Sequence, residues 1–472
     1  MHADTEKFST KEDIFAKYSV PKAIATLAIP TIISQLINLI YNMVDTIYIG
    51  MTGDAYKTAA VTLVFTIFIM TISFANLFGI GGGSLIARLI GANKQADAKR
   101  VCAFSFYAAL GSALLYSLFI AVFMNPILTI LGASDYTMTF AKQYVWVVVV
   151  LGNVPVIVSM TCAHLMRNAG YAKQASIGLS GGGILNIILD PLFMFVLLPK
   201  GMEVLGAAIA TLLSNIISFI YMIYIIHTLT NFAPLSLNWQ DAKSINKQEI
   251  KGVFNVGVPS GVLTGLFDVA NIFLNALMSG HGDLQLAAIG IVMKAERLPN
   301  AINVGICQGM LPLVAYNYTA HNWDRMNKII STVRRYGLII AGLSLIMFQF
   351  FSHSIVHVFL STEGATREEA IATIAYAAVF LQIRSMASIP QFLNYHTSFC
   401  LQAVGDGRDT FIHAVARELV FFIPFMFILN NFFGAKGLAA ALPISECWGA
   451  VFVLFLLHGW KKRNIIGKDT GE

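Results

Sequence analysis

Twelve apolar runs, each near or above the roughly 20 residues a helix needs to cross a bilayer, constrain this chain more than any other feature. They cover about 24–49, 58–87, 101–131, 143–166, 174–198 and 204–229, then 252–279, 285–316, 333–360, 370–402, 410–433 and 437–460. In hydrocarbon every backbone polar group must be satisfied internally, which leaves only helices and closed β-barrels. Runs of this length without two-residue alternation exclude the barrel. Composition agrees: 57% of the 472 residues are hydrophobic and only 12% are charged, against about 25% charged in a soluble domain. A soluble enzyme, a disordered chain and a secreted disulfide scaffold are all excluded. The sequence predicts an all-α polytopic membrane protein with twelve transmembrane helices.

Orientation follows from the basic residues. With the N-terminus in the cytoplasm, alternating loops place 22 Lys and Arg inside and five (Lys57, Lys142, Lys200, Arg367 and Lys436) outside. Both termini are therefore expected in the cytoplasm of a multi-pass protein of the cytoplasmic (inner) membrane. The first 20 residues are polar and mixed in charge, and read as a tail rather than a cleavable signal. The net charge of +6 reflects this loop bias, so no nucleic-acid partner is expected.

The chain repeats itself. A polar segment at 230–249 separates two halves of similar size. Ala28-Ile29-Pro30 near the start of the first half matches Gly257-Val258-Pro259 in the second, and Gly206-Ala207-Ala208-Ile209-Ala210 matches Gly437-Leu438-Ala439-Ala440-Ala441. Six helices per half start both halves on the same side, so two six-helix lobes are related by a parallel internal repeat, an arrangement that transporters use. The expected organisation is a cytoplasmic tail at 1–20, an N-lobe at 21–229, a cytoplasmic linker at 230–249, a C-lobe at 250–460 and a second tail at 461–472.

Polar residues inside the spans mark the chemistry, because a central Asp or Arg costs about 2.5–3.5 kcal/mol on insertion scales. Gln35, Asn38, Asn42 and Asp45 share one face of helix 1, with Tyr41 one turn before Asp45. Asn186 stands one turn before Asp190 on helix 5. Together with Thr211, Ser214 and Asn215 of helix 6 they suggest a polar pocket in the first lobe. Two carboxylates facing one cavity repel each other, and such a pair can exchange a proton, Na⁺ or an organic cation. Helix capping or a fixed ion pair is the alternative for each Asp. In the second half, Thr264, Asp268, Asn271 and Asn275 form a stripe on helix 7, while helix 8 carries Lys294, Glu296 and Arg297 and helix 10 carries Arg384, Gln391 and Asn394. A substrate or second-lobe site and an internal salt-bridge cluster are both open readings there, and Arg417, Glu418 and Glu446 fit the second.

Other motifs have plainer explanations. Gly81-Gly82-Gly83 and Gly181-Gly182-Gly183 follow no strand and fit close helix packing better than phosphate binding. The five cysteines lie in apolar stretches and read as buried thiols. Neither a nucleophilic constellation nor a Walker-type run is visible, so the chain reads as a transporter that uses no cofactor and not as an enzyme.

Five segments together carry a family resemblance: AIPTIISQLINLIYNMVDTIYIG in helix 1, GGGSLIARLIGANKQADAKR after helix 2, LMRNAGYAKQASI after helix 4, NIILDPLFMF in helix 5 and LVAYNYTAHNWDR after helix 8. Over about 20–460 the chain resembles the multidrug and toxic compound extrusion (MATE) transporters, in their DinF-like rather than NorM-like branch. The resemblance implies two lobes forming a V around a central cavity. It further implies a first-lobe cation-coupling site at Asp45, Asn186 and Asp190, with Thr211 and Tyr41 beside it, and a helix-bending role for Pro30. The only metal ion implied is Na⁺, at Asp45, Asn186 and Asp190. The sequence departs from the NorM pattern, because Asp268 lies near the helix 7 position and helix 10 lacks a carboxylate.

The expected function is a secondary active antiporter. It exports organic, cationic and amphipathic compounds, driven by inward H⁺ or Na⁺ flow, as a monomer among membrane lipids. Asn38, Asn42, Asp268, Asn271, Arg384, Gln391 and Asn394 are the candidates for a substrate or second-lobe site. The alternative is a lipid-linked saccharide flippase of the same broad superfamily, which calls for a more cationic cavity than the acidic, amide-rich first-lobe pocket.

Overall fold

The computed structural model describes residues 11–359 and 367–463. Parts of both expected tails, 1–10 and 464–472, lie outside the described residues. The six spans of the first half are α1 (Val20–Gly50), α2 (Ala55–Gly91), α3 (Gln95–Ile130), α4 (Asp135–Tyr144 continuing through Val145–Leu151 to Asn153–Asn168), α5 (Ala172–Pro191 with Leu192–Leu197) and α6 (Glu203–Leu229). After a short turn of helix at Trp239–Lys243 come α7 (Lys247–Ser279), α8 (Asp283–Thr319), α9 (Trp323–Phe359) and α10 (Arg367–Ser385 with Ser388–Val404).

The remaining apolar stretch, Gly407–Trp460, is 54 residues of nearly continuous helix. At 1.5 Å per residue it would be about 80 Å long, roughly twice the full thickness of a bilayer. Gly434 breaks it, with φ +58° and ψ −140°, a conformation that favours glycine. The chain reverses there, and a Cβ on Gly437 would meet the Leu429 carbonyl. Residues 407–433 are therefore α11 and 435–461 are α12. With this division, and with each bent pair taken as one span, the described residues hold twelve spanning helices.

Local chemistry sets several helix starts. Asp54 accepts from the backbone N–H groups of Tyr56 and Lys57 at the start of α2. Ser134 with Thr137 and Asn246 with Glu249 form capping boxes on α4 and α7. α1 remains helical through Pro30, and α7 through Pro259.

Packing repeats with the sequence. In the first lobe α1 lies on α5, α2 on α3 and α4, and α4 and α5 on α6. Six helices later α7 lies on α11, α8 on α9 and α10, and α10 and α11 on α12. The fourth helix of each lobe is bent, α4 by 45° and α10 by 48°. Long apolar side chains such as Leu115, Leu118 and Val122 on α3 or Phe350 and Phe351 on α9 point away from the core. A soluble protein rarely exposes patches on this scale. Four cysteines are buried as the sequence suggests, but Cys447 is exposed, because its face of α12 points out of the bundle beside exposed Trp448.

The lobes meet through α1 on α8 and α2 on α7. Glycines allow this contact. A Cβ on Gly309 would stand 2.6 Å from Ala28 Cα, and one on Gly257 would meet the Leu77 carbonyl. Gly81 is pressed against α7, while Gly182 and Gly183 receive Ser218 and Tyr41, so both glycine runs serve packing. Hydrogen bonds between the lobes cluster toward the end bearing the basic loops. There Ser84 donates to the Gln402 carbonyl (2.5 Å) and Thr319 to the Arg88 carbonyl (2.7 Å), while Arg325 of the second lobe holds the N-terminal segment at the Phe15 carbonyl (2.8 Å). Deeper in, Asn76 donates to Thr264 (3.0 Å) and Gln35 to Gln308 (3.3 Å). These contacts form the floor of a space between the lobes.

Candidate functional site

In α5 the turn Asn186–Asp190 places an amide directly above a carboxylate. Asn186 Nδ2 donates to Asp190 Oδ1 at 3.0 Å and reaches Thr211 Oγ1 of α6 at 3.3 Å. Asp190 is fully buried and Asn186 nearly so. α5 leaves regular α-helix one residue later, entering the wider turn Leu192–Leu197 after Pro191, a type of irregularity often found at functional sites. Asp45 of α1 lies within electrostatic range of Asp190. Asp45 Oδ1, Asp190 Oδ2 and Asn186 Oδ1 are buried without a hydrogen-bond partner. Among the described residues no cation lies within ion-pair distance of either carboxylate. The two carboxylates thus face each other's charge without a fixed counter-charge.

Two adjoining cavities of about 410 Å³ each, in the size range of small-molecule sites, are lined one by Asp45 and the other by Asn186, while Asp190 lines neither. Both are lined by Tyr41, Asn42, Thr211 and Arg297. The first also has Asp45, Tyr144, Asn275 and Lys294, and the second has Asn38, Asn186, Arg167, His164 and Asp268. Tyr41, Asn42, Asp45 and Thr211 thus share one chamber, while Asn38, Asn186 and Asp268 share the other. Pro30 lies in α1 three turns from Tyr41, toward the floor.

The second-lobe candidates divide. Arg384 is buried and clasps Glu296 through both Nε and Nη2, at 2.8–3.1 Å, tying α10 to α8. Gln391 lines a small gap beside that pair. Asn394 donates to Glu446 Oε2 of α12 at 2.6 Å and accepts from His413 of α11 at 3.2 Å. Arg417 pairs with the same Glu446 and lies 4.9 Å from the centre of the Tyr395 ring. These residues knit α8, α10, α11 and α12 together inside the lobe, the second of the two readings left open by the sequence. Asn271 donates to its own helix at the Phe267 carbonyl (2.9 Å), and Asn275, one turn on, lines the cavity in its stead.

Arg167, His164 and Tyr144 are not among the residues the sequence singles out, and for Lys294 and Arg297 it leaves a site and a salt-bridge cluster both open. Arg167 had been assigned to a loop, yet it is buried at the end of α4, with Nη2 donating to Ser34 at 3.3 Å. For Lys294 and Arg297 there was a usable signal. They and Arg384 and Arg417 are the four basic residues that lie well inside the apolar runs rather than at their ends or between them. Arg384 and Arg417 are buried and ion-paired; Lys294 and Arg297 are exposed and have no ion pair among the described residues. The cavity is therefore mixed in charge: Asp45 faces Lys294 and Arg297 in one chamber, and Arg167, Asp268 and Arg297 share the other, where the sequence suggested an acidic, amide-rich pocket for the first lobe.

A family model described as MatE matches residues 30–192 and 259–428, one stretch in each lobe. The multidrug export protein MepA of Staphylococcus haemolyticus is 29% identical over 456 residues, with 97% of each chain covered. A solved structure of MATE in complex with MaL6 superposes with a TM-score of 0.87 at 22% identity, covering 95% of this chain and 99% of that one. An outward-facing conformation of a multidrug resistance MATE family transporter of the MOP superfamily gives 0.86 at 23% identity, covering 94% and 98%. At these identities the two structures establish likeness of fold.

Proposed function

The chain belongs to the MATE family of multidrug efflux transporters, and on that premise we propose that it is an antiporter exporting cationic, amphipathic organic compounds in exchange for H⁺ or Na⁺. The observation that carries this reading is the carboxylate pair: Asp45 Oδ1 and Asp190 Oδ2 are buried without partners, and Asp45 lines a ligand-sized cavity. A proton or Na⁺ supplies the charge the pair lacks, with Asn186 orienting Asp190 and Thr211 adding an oxygen. Na⁺ here is a transported ion, not a resident metal. Ion and drug act on one equilibrium between states open to opposite sides. Each shifts it only by its difference in affinity for the two states, and the coupling is reciprocal. Pro30 supplies the place where α1 bends as the states exchange.

The lobes at 21–229 and 250–460 move against each other, joined by the linker at 230–249. The protein works as a monomer in the cytoplasmic membrane, with the basic loops and both termini inside. The floor between the lobes then closes the inner side and leaves the cavity toward the outside. The test is efflux of a fluorescent cationic dye from proteoliposomes under an imposed pH or Na⁺ gradient. Efflux that follows one gradient supports antiport and identifies the ion. Efflux indifferent to both gradients contradicts it.

A further inference from the structure

We propose that Lys294 and Arg297 form a seat for an anionic group, a carboxylate or phosphate, on the transported molecule, so that this cavity takes zwitterionic amphiphiles with their cationic end toward Asp45 of the first lobe. This rests on the efflux reading above and specifies its substrate class.

Three observations lead here. Lys294 and Arg297 stand three residues apart in the first half of a membrane-spanning helix, three turns and more from its start, and both are exposed. Mid-span cations are tolerated where they face a water-filled space, and both line the cavity opposite Asp45. Second, they share one face of α8 and repel one another, while among the described residues no carboxylate lies within ion-pair distance of either. Glu296, between them in sequence, is turned away and held by Arg384. Asp268 is the acidic residue that acts on Arg297, beyond ion-pair distance. Third, Arg167 of α4 faces the adjoining chamber, so one more cation lies beyond α8.

An anion placed between Lys294 and Arg297 relieves their repulsion. The guanidinium can bind it in a bidentate manner, while the ammonium acts as a point charge. Met293 and Tyr144 add apolar surface in the same chamber, which suits the body of an amphiphile.

The test is equilibrium binding to the purified full chain of two rhodamine dyes that differ in one group, the free carboxylate and its ethyl ester. Binding is read by fluorescence anisotropy, so the result does not depend on whether transport is ion-coupled. Lys294→Gln and Arg297→Gln are each expected to weaken the carboxylate dye by about tenfold or more and the ester by less than about twofold. Arg297→Lys, which keeps the charge, is expected to recover part of the loss. Parallel weakening of both dyes, an unchanged preference in the Lys294→Gln/Arg297→Gln double variant, or no binding of the carboxylate dye by the wild type would each overturn the proposal. Displacement of the carboxylate dye by an isoprenyl phosphate but not by a soluble aryl carboxylate would reassign the seat to a lipid-borne phosphate and overturn it as stated. Loss of gradient-driven efflux with the dye selectivity intact would instead count against the antiport reading alone.

Discussion

Asn186 Nδ2 lies 3.0 Å from Asp190 Oδ1 and also reaches Thr211 Oγ1, so one amide group couples a buried carboxylate of α5 to α6. It spends its donors on these two acceptors, and the second Asp190 oxygen remains unpartnered. The arrangement positions the carboxylate without neutralising it, as a reversible ion site requires.

Removing that amide exposes its role. Asn186→Ala is expected to leave Asp190 without its side-chain donor, at a cost of about 1.5–3 kcal/mol if the carboxylate is charged. A lower unfolding temperature of the detergent-purified protein checks this, together with weaker gradient-driven efflux. Restoration of both by Asn186→Gln would identify the hydrogen bond, rather than the space filled, as the cause.

The cluster inside the second lobe makes the opposite kind of prediction. Arg417 and Glu446 are both buried, and breaking such a pair by removing one partner typically costs about 3–5 kcal/mol. Glu446→Leu and Arg417→Met are each expected to reduce yield and thermal stability sharply. The double variant is expected to recover part of the loss, because neither member of this pair is then left alone, and Glu418, 3.6 Å from Arg417, keeps the recovery partial. Additive losses in the double variant would contradict the pairing.

How much of this was visible in the sequence depended on the kind of information each residue carries. Helical periodicity placed Asp45, Asn42 and Asn38 on one face, and a single turn joined Asn186 to Asp190, so the first-lobe site could be read from local spacing. The second lobe could not be read in this way. Asn271 and Asn275 have the same spacing to Asp268 as the first-lobe residues have among themselves, but only the neighbouring helices decide which faces the cavity. The same limit applied to Glu296, whose partner Arg384 is 88 residues away. Its capture is what leaves Lys294 and Arg297 to face the cavity. Cys447 looked like any other cysteine in an apolar run, because an outward apolar face and a core face have the same composition in a membrane protein.

The glycine contacts between the lobes predict a shift in conformation. A Cβ on Gly309 would stand 2.6 Å from Ala28 Cα, and the neighbour is backbone, so it has little room to yield. Gly309→Val is expected to separate α1 from α8 and to favour the state open toward the basic loops. Spin labels at Lys94 and His321, in the loops at that end, report it in a Cys447→Ser background that removes the exposed thiol. A longer distance in the variant is expected. An unchanged distance distribution would mean that the floor does not depend on this close approach.

The most direct measurement is gradient-driven dye efflux from proteoliposomes for the wild type, Asp45→Asn and Asp190→Asn, reconstituted at equal protein levels. Each variant keeps the shape of the carboxylate but cannot carry its charge. Loss of gradient-driven efflux in both, with dye binding retained, is the predicted result and would locate the coupling site between α1 and α5. Undiminished efflux in both would contradict it and direct the search to Asp268, the carboxylate lining the second chamber.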